Sequence, residues 1–216
     1  MCSLPHSMLA LRQNIFTKAL PRHIRTLGKM ATQKPTIDRI SPLSADEAKW
    51  TELRKIEWTD QTGRQRVWEA AARKTRTKGG VDAVAIAPIL RHPNKEPSTM
   101  IILQYRPPIE AMCVEFPAGL IDEGETPEQA AVRELKEETG YEGKMVTIEV
   151  NLKEGDKEPE QHLDEGEHIE RRVVLLSELY DTLTALSKEK ETIVDARLYH
   201  WALGLHWSQR IFPNKS

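Results

Sequence analysis

The chain has 216 residues, 31 basic against 33 acidic, for a formal net charge of −2, so no global positive field draws it to nucleic acid. Its 39% apolar content with five tryptophans can pack the core of one domain with extensions, and no apolar run is long enough to span a bilayer. The two cysteines, Cys2 and Cys113, exclude a disulfide framework and a cysteine zinc site.

Residues 1–36 stand apart as a basic leader. No acidic residue occurs from Met1 to Ile37, while Arg12, Lys18, Arg22, Arg25, Lys29 and Lys34 are basic, and Leu9, Leu11, Ile15, Phe16, Leu20 and Ile24 recur at near-helical spacing. This reads either as a mitochondrial transit peptide or as a disordered basic tail. Met30 offers a second start that would give a cytoplasmic form.

Residues 37–78 contain a predicted β-hairpin: Trp50–Trp58, a turn at Asp60-Gln-Thr-Gly63, and a return strand from Gln65. Residues 79–210 form the main domain. Val81–Leu90 is almost continuously apolar, as in a strand buried on both faces. Strands follow at Met100–Tyr105, ended by Arg106-Pro107-Pro108, and at Met112–Phe116. Thr126 as N-cap, Pro127, Gln129 in a capping box and Gly140 as stop predict a helix over 127–139. Beyond it come a strand at Val146–Leu152, a charged loop at Lys153–Glu167 and a strand at Arg171–Leu176. Helices are expected near Ser177–Lys188 and Ile193–Trp207, and the order indicates a mixed α/β sandwich.

On the 127–139 helix, Glu134, Glu137 and Glu138 project to one side while Val132 and Leu135 turn inward. Three like charges on one face repel each other, and Lys136 sits at the wrong offset to relieve them. Hard divalent cations, Mg²⁺ or Mn²⁺, take oxygen ligands and share them with substrate phosphates, which gives such a face a chemical purpose. A solvated acidic helix is the plain alternative. The glycine-bearing loop before the helix, Glu125 and Arg133 count against it.

The pattern Gly119-x5-Glu125-x7-Arg133-Glu134-Leu135-x-Glu137-Glu138-x-Gly140-Tyr141 resembles the Nudix box, the signature of hydrolases that cleave nucleoside diphosphates linked to another group. The resemblance implies a Nudix-type α/β/α sandwich with a mixed sheet, preceded by the N-terminal hairpin. It also implies that Glu134 and Glu138 hold the metal, Glu137 assists the metal shell, Arg133 orients a carboxylate and the Ala118 carbonyl completes one coordination sphere. A loop glutamate beyond the box adds to this set: Glu167, after Gly166, matches best, with Glu165 as the alternative.

Phe116-Pro-Ala-Gly-Leu-Ile-Asp122 and Gln104-Tyr-Arg-Pro-Pro108 resemble the branch of ADP-sugar pyrophosphatases that act mainly on ADP-ribose, yielding AMP and ribose 5-phosphate. In that branch two tryptophans, here Trp50 and Trp68, sandwich the adenine across a domain-swapped homodimer. Glu69 would meet the adenine edge, while Arg73 and Arg106 would bind the diphosphate. Taken singly, each tryptophan also fits ordinary hairpin packing. Two other readings are a hydrolase of an oxidised nucleoside diphosphate and an impaired nucleotide-binding or dimer-partner variant.

The chain departs from the family after Lys144, running directly into Met145-Val-Thr-Ile-Glu-Val150. By comparison with the family, a strand and a substrate-facing loop, about twenty residues in all, are missing there, as in a splice variant or a gene model missing an exon. Such a loss should strand backbone groups of the neighbouring strand and weaken ADP-ribose hydrolysis.

Overall fold

The computed structural model describes residues 25–27, 33–74, 80–144 and 149–211. Eleven strands and three α-helices are formed among them. The main sheet is built around β6 (Lys95–Arg106), whose segment Met100-Ile-Ile-Leu103 is almost wholly buried on both faces. β10 (Ile169–Leu175) pairs antiparallel along one side of β6. On the other side the first part of β6 pairs with β5 (Ile89–His92) and the second with β7 (Ala111–Glu115), both antiparallel. Parallel strands extend these partners: β9 (Glu149–Asn151) lies on β5, and β11 (Thr192–Val194) on β7. The sheet is therefore mixed.

Helices cover both faces. α2 (Leu179–Leu186) and α3 (Ala196–Ile211) lie on one, where Leu179, Leu183, Leu186, Leu198 and Ala202 pack on Ile101, Leu103, Val114, Phe116 and Val174. α1 (Pro127–Thr139) lies on the other, burying Leu135 against Ile86, Leu90, Met100 and Val150. Alternating residues of β10 serve the two layers, Val174 facing α2 and Val173 facing the α1 side. The α/β/α sandwich expected from the sequence is the observed one.

Several boundaries moved. Val81–Leu90 is two strands rather than one: β4 (Ala83–Ala85) pairs with β8 (Ala118–Leu120) in a small separate sheet, and β5 resumes in the main sheet. Pro88, which has no N–H to give to a ladder, lies at the crossing between sheets, and its carbonyl accepts from Thr99 Oγ1 at 2.7 Å. The helix expected from Ile193 begins later, because Asp195 Oδ1 accepts the backbone N–H groups of Arg197 and Leu198 and caps α3. Arg25–Leu27, inside the stretch set aside as a leader, forms β1 and pairs antiparallel with β10; the rest of residues 1–32 lies outside the described residues.

The hairpin consists of β2 (Thr51–Thr59) and β3 (Gln65–Arg73), which among the described residues pair only with each other. Asp60 builds its turn by accepting from the Thr62 N–H and hydroxyl, the Arg64 N–H and Arg66 Nε, and Gly63 takes a φ of 82°. Those donors, Thr62 foremost, hold the Asp60 carboxyl down to about 2. Trp68 pairs with Ile56, while Glu69 and Arg73 point to the opposite face with Leu53. Both faces are open: Leu53 is 89% exposed and Trp68 64%. A two-stranded ribbon left this bare is marginal in water and calls for a partner surface.

A cavity of about 780 Å³ opens on the α1 face of the main sheet. Leu90, Ser98, Val173 and Leu175 line it from the strands, and Tyr141 and Leu152 flank it from either side of the Lys144–Met145 junction. Among the described residues, no helix is long and apolar enough to cross a membrane.

Candidate active site

α1 starts as the sequence dictates. Thr126 Oγ1 accepts the Gln129 N–H, the Gln129 side chain accepts the Thr126 N–H at 2.8 Å, and Gly140 ends the helix at a φ of 76°. This fixed start sets which residues face β8. There Gly119 lies against the Glu134 carboxylate: a Cβ on Gly119 would come within 1.9 Å of the carboxyl carbon. Gly119 has no positive φ, so glycine is needed here for room and not for backbone conformation.

Arg133 organises the acidic side chains. Its Nε and Nη2 grip Glu125 at 3.0 and 2.9 Å, Nη1 reaches Glu134 at 2.8 Å and Glu137 at 2.9 Å, and Nη2 also donates to the Leu120 carbonyl. The bidentate grip makes Glu125 the principal partner and lowers its pKa. Arg133 thus orients carboxylates, and it orients three of them.

Glu138 is 4% exposed, and its carboxylate accepts the Ala118 N–H at 3.0 Å. Burial pushes its carboxyl up to about 8, against the Ala118 N–H, and the charges of Glu134 and Glu167 push the same way. Burial also raises Glu134, and although Arg133 opposes the rise, Glu137 and Glu167 add to it. The charge of the half-buried Glu167 acts on both groups, whereas Glu165 is exposed. Glu167 is held in its own turn, with Oε2 accepting the Asp164 N–H at 3.1 Å.

Among the described residues, no three carboxylate, imidazole or thiol groups converge at metal-ligand spacing. Arg133 instead lies between Glu134 and Glu137. The donor set still suits a hard dication. It is all oxygen, and among the described residues buried Glu138 has no cationic partner within hydrogen-bond reach, since Arg133 is taken up by the other three glutamates.

The substrate residues expected from the sequence divide into two groups. Arg106, at the end of β6, is bound by Glu115, with Nη2 to Oε2 at 2.5 Å, and its charge acts on Glu138. Glu115 was not singled out in the sequence; only the facing of β6 and β7 brings it to Arg106. Trp50, Trp68, Glu69 and Arg73 all lie on the exposed hairpin, apart from the carboxylates. Trp50, whose carbonyl accepts the Lys74 N–H, is six register positions from the Trp68–Ile56 pair. At the rise of a strand that separation is about 20 Å, so the two indoles of one chain cannot clasp one base.

Fold and site together define an α/β/α sandwich that docks a carboxylate helix on a glycine-bearing strand. The NUDIX domain model matches residues 81–203, and the chain belongs to that family. It is 41% identical to an uncharacterised Nudix hydrolase of Schizosaccharomyces pombe, over 81% of this chain and 94% of the relative. It is also 37% identical to an ADP-ribose pyrophosphatase of Saccharomyces cerevisiae, over 74% of this chain and 78% of that one. An ADP-sugar pyrophosphatase of Mus musculus is 34% identical, over 74% and 83% respectively.

These alignments contain more positions than this chain fills. The first covers 195 positions, but 81% of 216 residues is about 175. The other two cover 181 and 180 positions against about 160 residues each. About twenty positions of each relative therefore have no counterpart here, the size of the gap expected after Lys144.

Proposed function

We propose that the chain hydrolyses the diphosphate of ADP-ribose or a related ADP-sugar to AMP and a sugar phosphate. The observation that carries this reading is the buried Glu138 of α1, backed by the Ala118 N–H and acted on by the charges of Glu134 and Glu167, against a strand opened by Gly119. The names of the budding-yeast and mouse relatives support the choice of substrate.

Glu134 and Glu138, with Glu167 and the Ala118 carbonyl, would hold a divalent cation, Mg²⁺ or Mn²⁺. When bound, the cation supplies charge neutralisation for the diphosphate and Lewis-acid activation. Arg133 holds the Glu134 and Glu137 carboxylates in place so that they do not reorganise during reaction. Glu137, about 39% exposed at its side chain, is positioned to accept a proton from an attacking water, and Glu167 is the second candidate for that step. Arg106 and Arg73 would compensate charge on the substrate phosphates.

Trp50 and Trp68 would stack on adenine and Glu69 would bind its edge. The separation of the two indoles in one chain favours a base held between subunits of a homodimer, and the bare hairpin suits the same arrangement. The basic leader favours a mitochondrial form, with the Met30 start giving a cytoplasmic one, which expression of the two starts as fluorescent fusions would test.

A panel of ADP-ribose, ADP-glucose and an oxidised nucleoside diphosphate, each with Mg²⁺ or Mn²⁺, tests the substrate. ADP-ribose should turn over fastest; faster turnover of the oxidised nucleotide would overturn the choice. The twenty absent positions favour a second reading, an impaired chain that binds nucleotide or partners an intact subunit. On either reading, ADP-ribose turnover should be slower than that of the Saccharomyces cerevisiae ADP-ribose pyrophosphatase.

A further inference from the structure

The last carbonyls of an α-helix have no partner within it. In α1 three such carbonyls in a row are taken up by one distant stretch of chain. The Glu137 carbonyl accepts the His162 N–H at 2.8 Å, and the Glu138 carbonyl accepts Gln161 Nε2 at 2.6 Å. The Thr139 carbonyl accepts Arg171 Nη1. The same two side chains also tie the loop to itself and to β10, since Gln161 reaches the Ile169 carbonyl at 3.2 Å and Arg171 Nη2 reaches the Pro159 carbonyl. Gly140 completes the junction: a Cβ there would lie 2.1 Å from the Glu160 carbonyl oxygen, so only glycine lets the loop pass so close.

Arg171 is 5% exposed and lies 5.8 Å from the Tyr141 ring centroid. Among the described residues it forms no ion pair with a carboxylate; its Nη groups are spent on backbone carbonyls and its Nε has no partner. A buried guanidinium is costly to desolvate, and this one returns little beyond joining α1 to the loop. The loop so joined runs on through the Asp164–Glu167 turn, and the charge of Glu167 acts on Glu134 and Glu138 of α1.

We propose that Arg171 and Gln161 are positioning residues: they staple the end of α1 to the 159–168 loop and so set Glu167 relative to Glu134 and Glu138 for cation binding. The inference rests on the metal-binding role proposed above for Glu167. Glu138 and Glu167 belong to segments far apart in the chain, and this staple is, among the described residues, a set of hydrogen bonds that ties one segment to the other. Loosening it should free the loop carboxylate while leaving Arg133, Glu125 and the start of α1 intact.

The test is Mn²⁺ binding to the full chain by titration calorimetry, without substrate, for Arg171→Met, Glu167→Gln, the double variant and Arg171→Lys. Arg171→Met and Glu167→Gln should each weaken Mn²⁺ binding about tenfold, the scale seen when groups that orient metal ligands are removed. The double variant should be no weaker than Glu167→Gln, because both act through the same carboxylate. Arg171→Lys should recover part of the loss, and hydrogen exchange at the His162 amide should quicken in Arg171→Met. Should Arg171→Met fail to fold, the half-buried Gln161→Met carries the same comparison. Wild-type affinity in Arg171→Met or Gln161→Met, or losses that multiply in the double variant, would overturn the staple. Unchanged affinity in Glu167→Gln would instead remove the role of the loop carboxylate, and the staple's purpose with it.

Discussion

Gly119→Ala separates the site from the fold most cleanly. The new Cβ would stand 1.9 Å from the Glu134 carboxyl carbon and 2.0 and 2.2 Å from its oxygens. To regain ordinary contact at 3.4 Å the carboxylate must retreat by about 1.5 Å, the difference between those distances. That displacement pulls Glu134 away from Arg133 Nη1, now 2.8 Å distant, and shifts its charge relative to Glu138, on which it acts. The backbone carries no strain, because Gly119 does not need a positive φ, and the group that yields is the end of a flexible side chain. The melting temperature should therefore fall by no more than a few degrees, whereas a misplacement above 1 Å at a reacting centre costs about 10²-fold in rate. In barrier height that is about 2.7 kcal/mol. Metal-dependent AMP release from ADP-ribose, measured as kcat/KM beside thermal unfolding, reads both effects. Wild-type kcat/KM at saturating metal would refute the reasoning, and so would a collapse of the melting temperature.

Other perturbations probe other parts. Leu135→Ala removes the fully buried anchor of α1 and should cost about 2–5 kcal/mol in urea unfolding. Glu138 titrates higher in the folded chain, at about 8, than an ordinary carboxyl, so its protonated form stabilises the fold. That contribution is full below the ordinary carboxylate range and disappears as pH rises toward 8. Metal-free protein should lose stability between pH 5 and 8, Glu138→Gln should flatten that slope, and Mn²⁺ should restore stability at pH 8. Trp50→Ala and Trp68→Ala should each raise KM for ADP-ribose about tenfold without lowering the melting temperature, since both side chains are exposed. Mixing the two variants should recover wild-type KM in part of the sites if the clasp lies between subunits, and none if it lies within one chain. Burial and then Glu115 push the Cys113 thiol up to about 11, so in Cys2→Ser protein a maleimide at pH 7.5 should label it only on denaturation.

The site was legible where its chemistry is local. The capping box at Thr126 and the stop at Gly140 set the phase of α1, and phase alone decides that Glu134, Glu137 and Glu138 share a side. Arg133 was expected to orient one carboxylate and orients three, because its fork spans positions a linear spacing rule treats singly. The splitting of Val81–Leu90 was hidden by uniform apolarity; only Pro88 hinted at it. Arg106–Glu115, Gln161 and Arg171 could not be read in advance, since each depends on which strands pair or on where a loop crosses a helix end. Trp50 and Trp68 were found by resemblance, and strand register then showed that one hairpin cannot bring them together.

The central claim is that the carboxylates of α1 drive hydrolysis of ADP-ribose. The most direct test is AMP release from ADP-ribose and Mg²⁺ by the purified chain beside Glu138→Gln. The wild-type chain should release equal amounts of AMP and ribose 5-phosphate, and the rate should fall by at least about 10²-fold in the variant. Nucleotide binding without turnover in the wild-type chain, or an undiminished rate in Glu138→Gln, would contradict it.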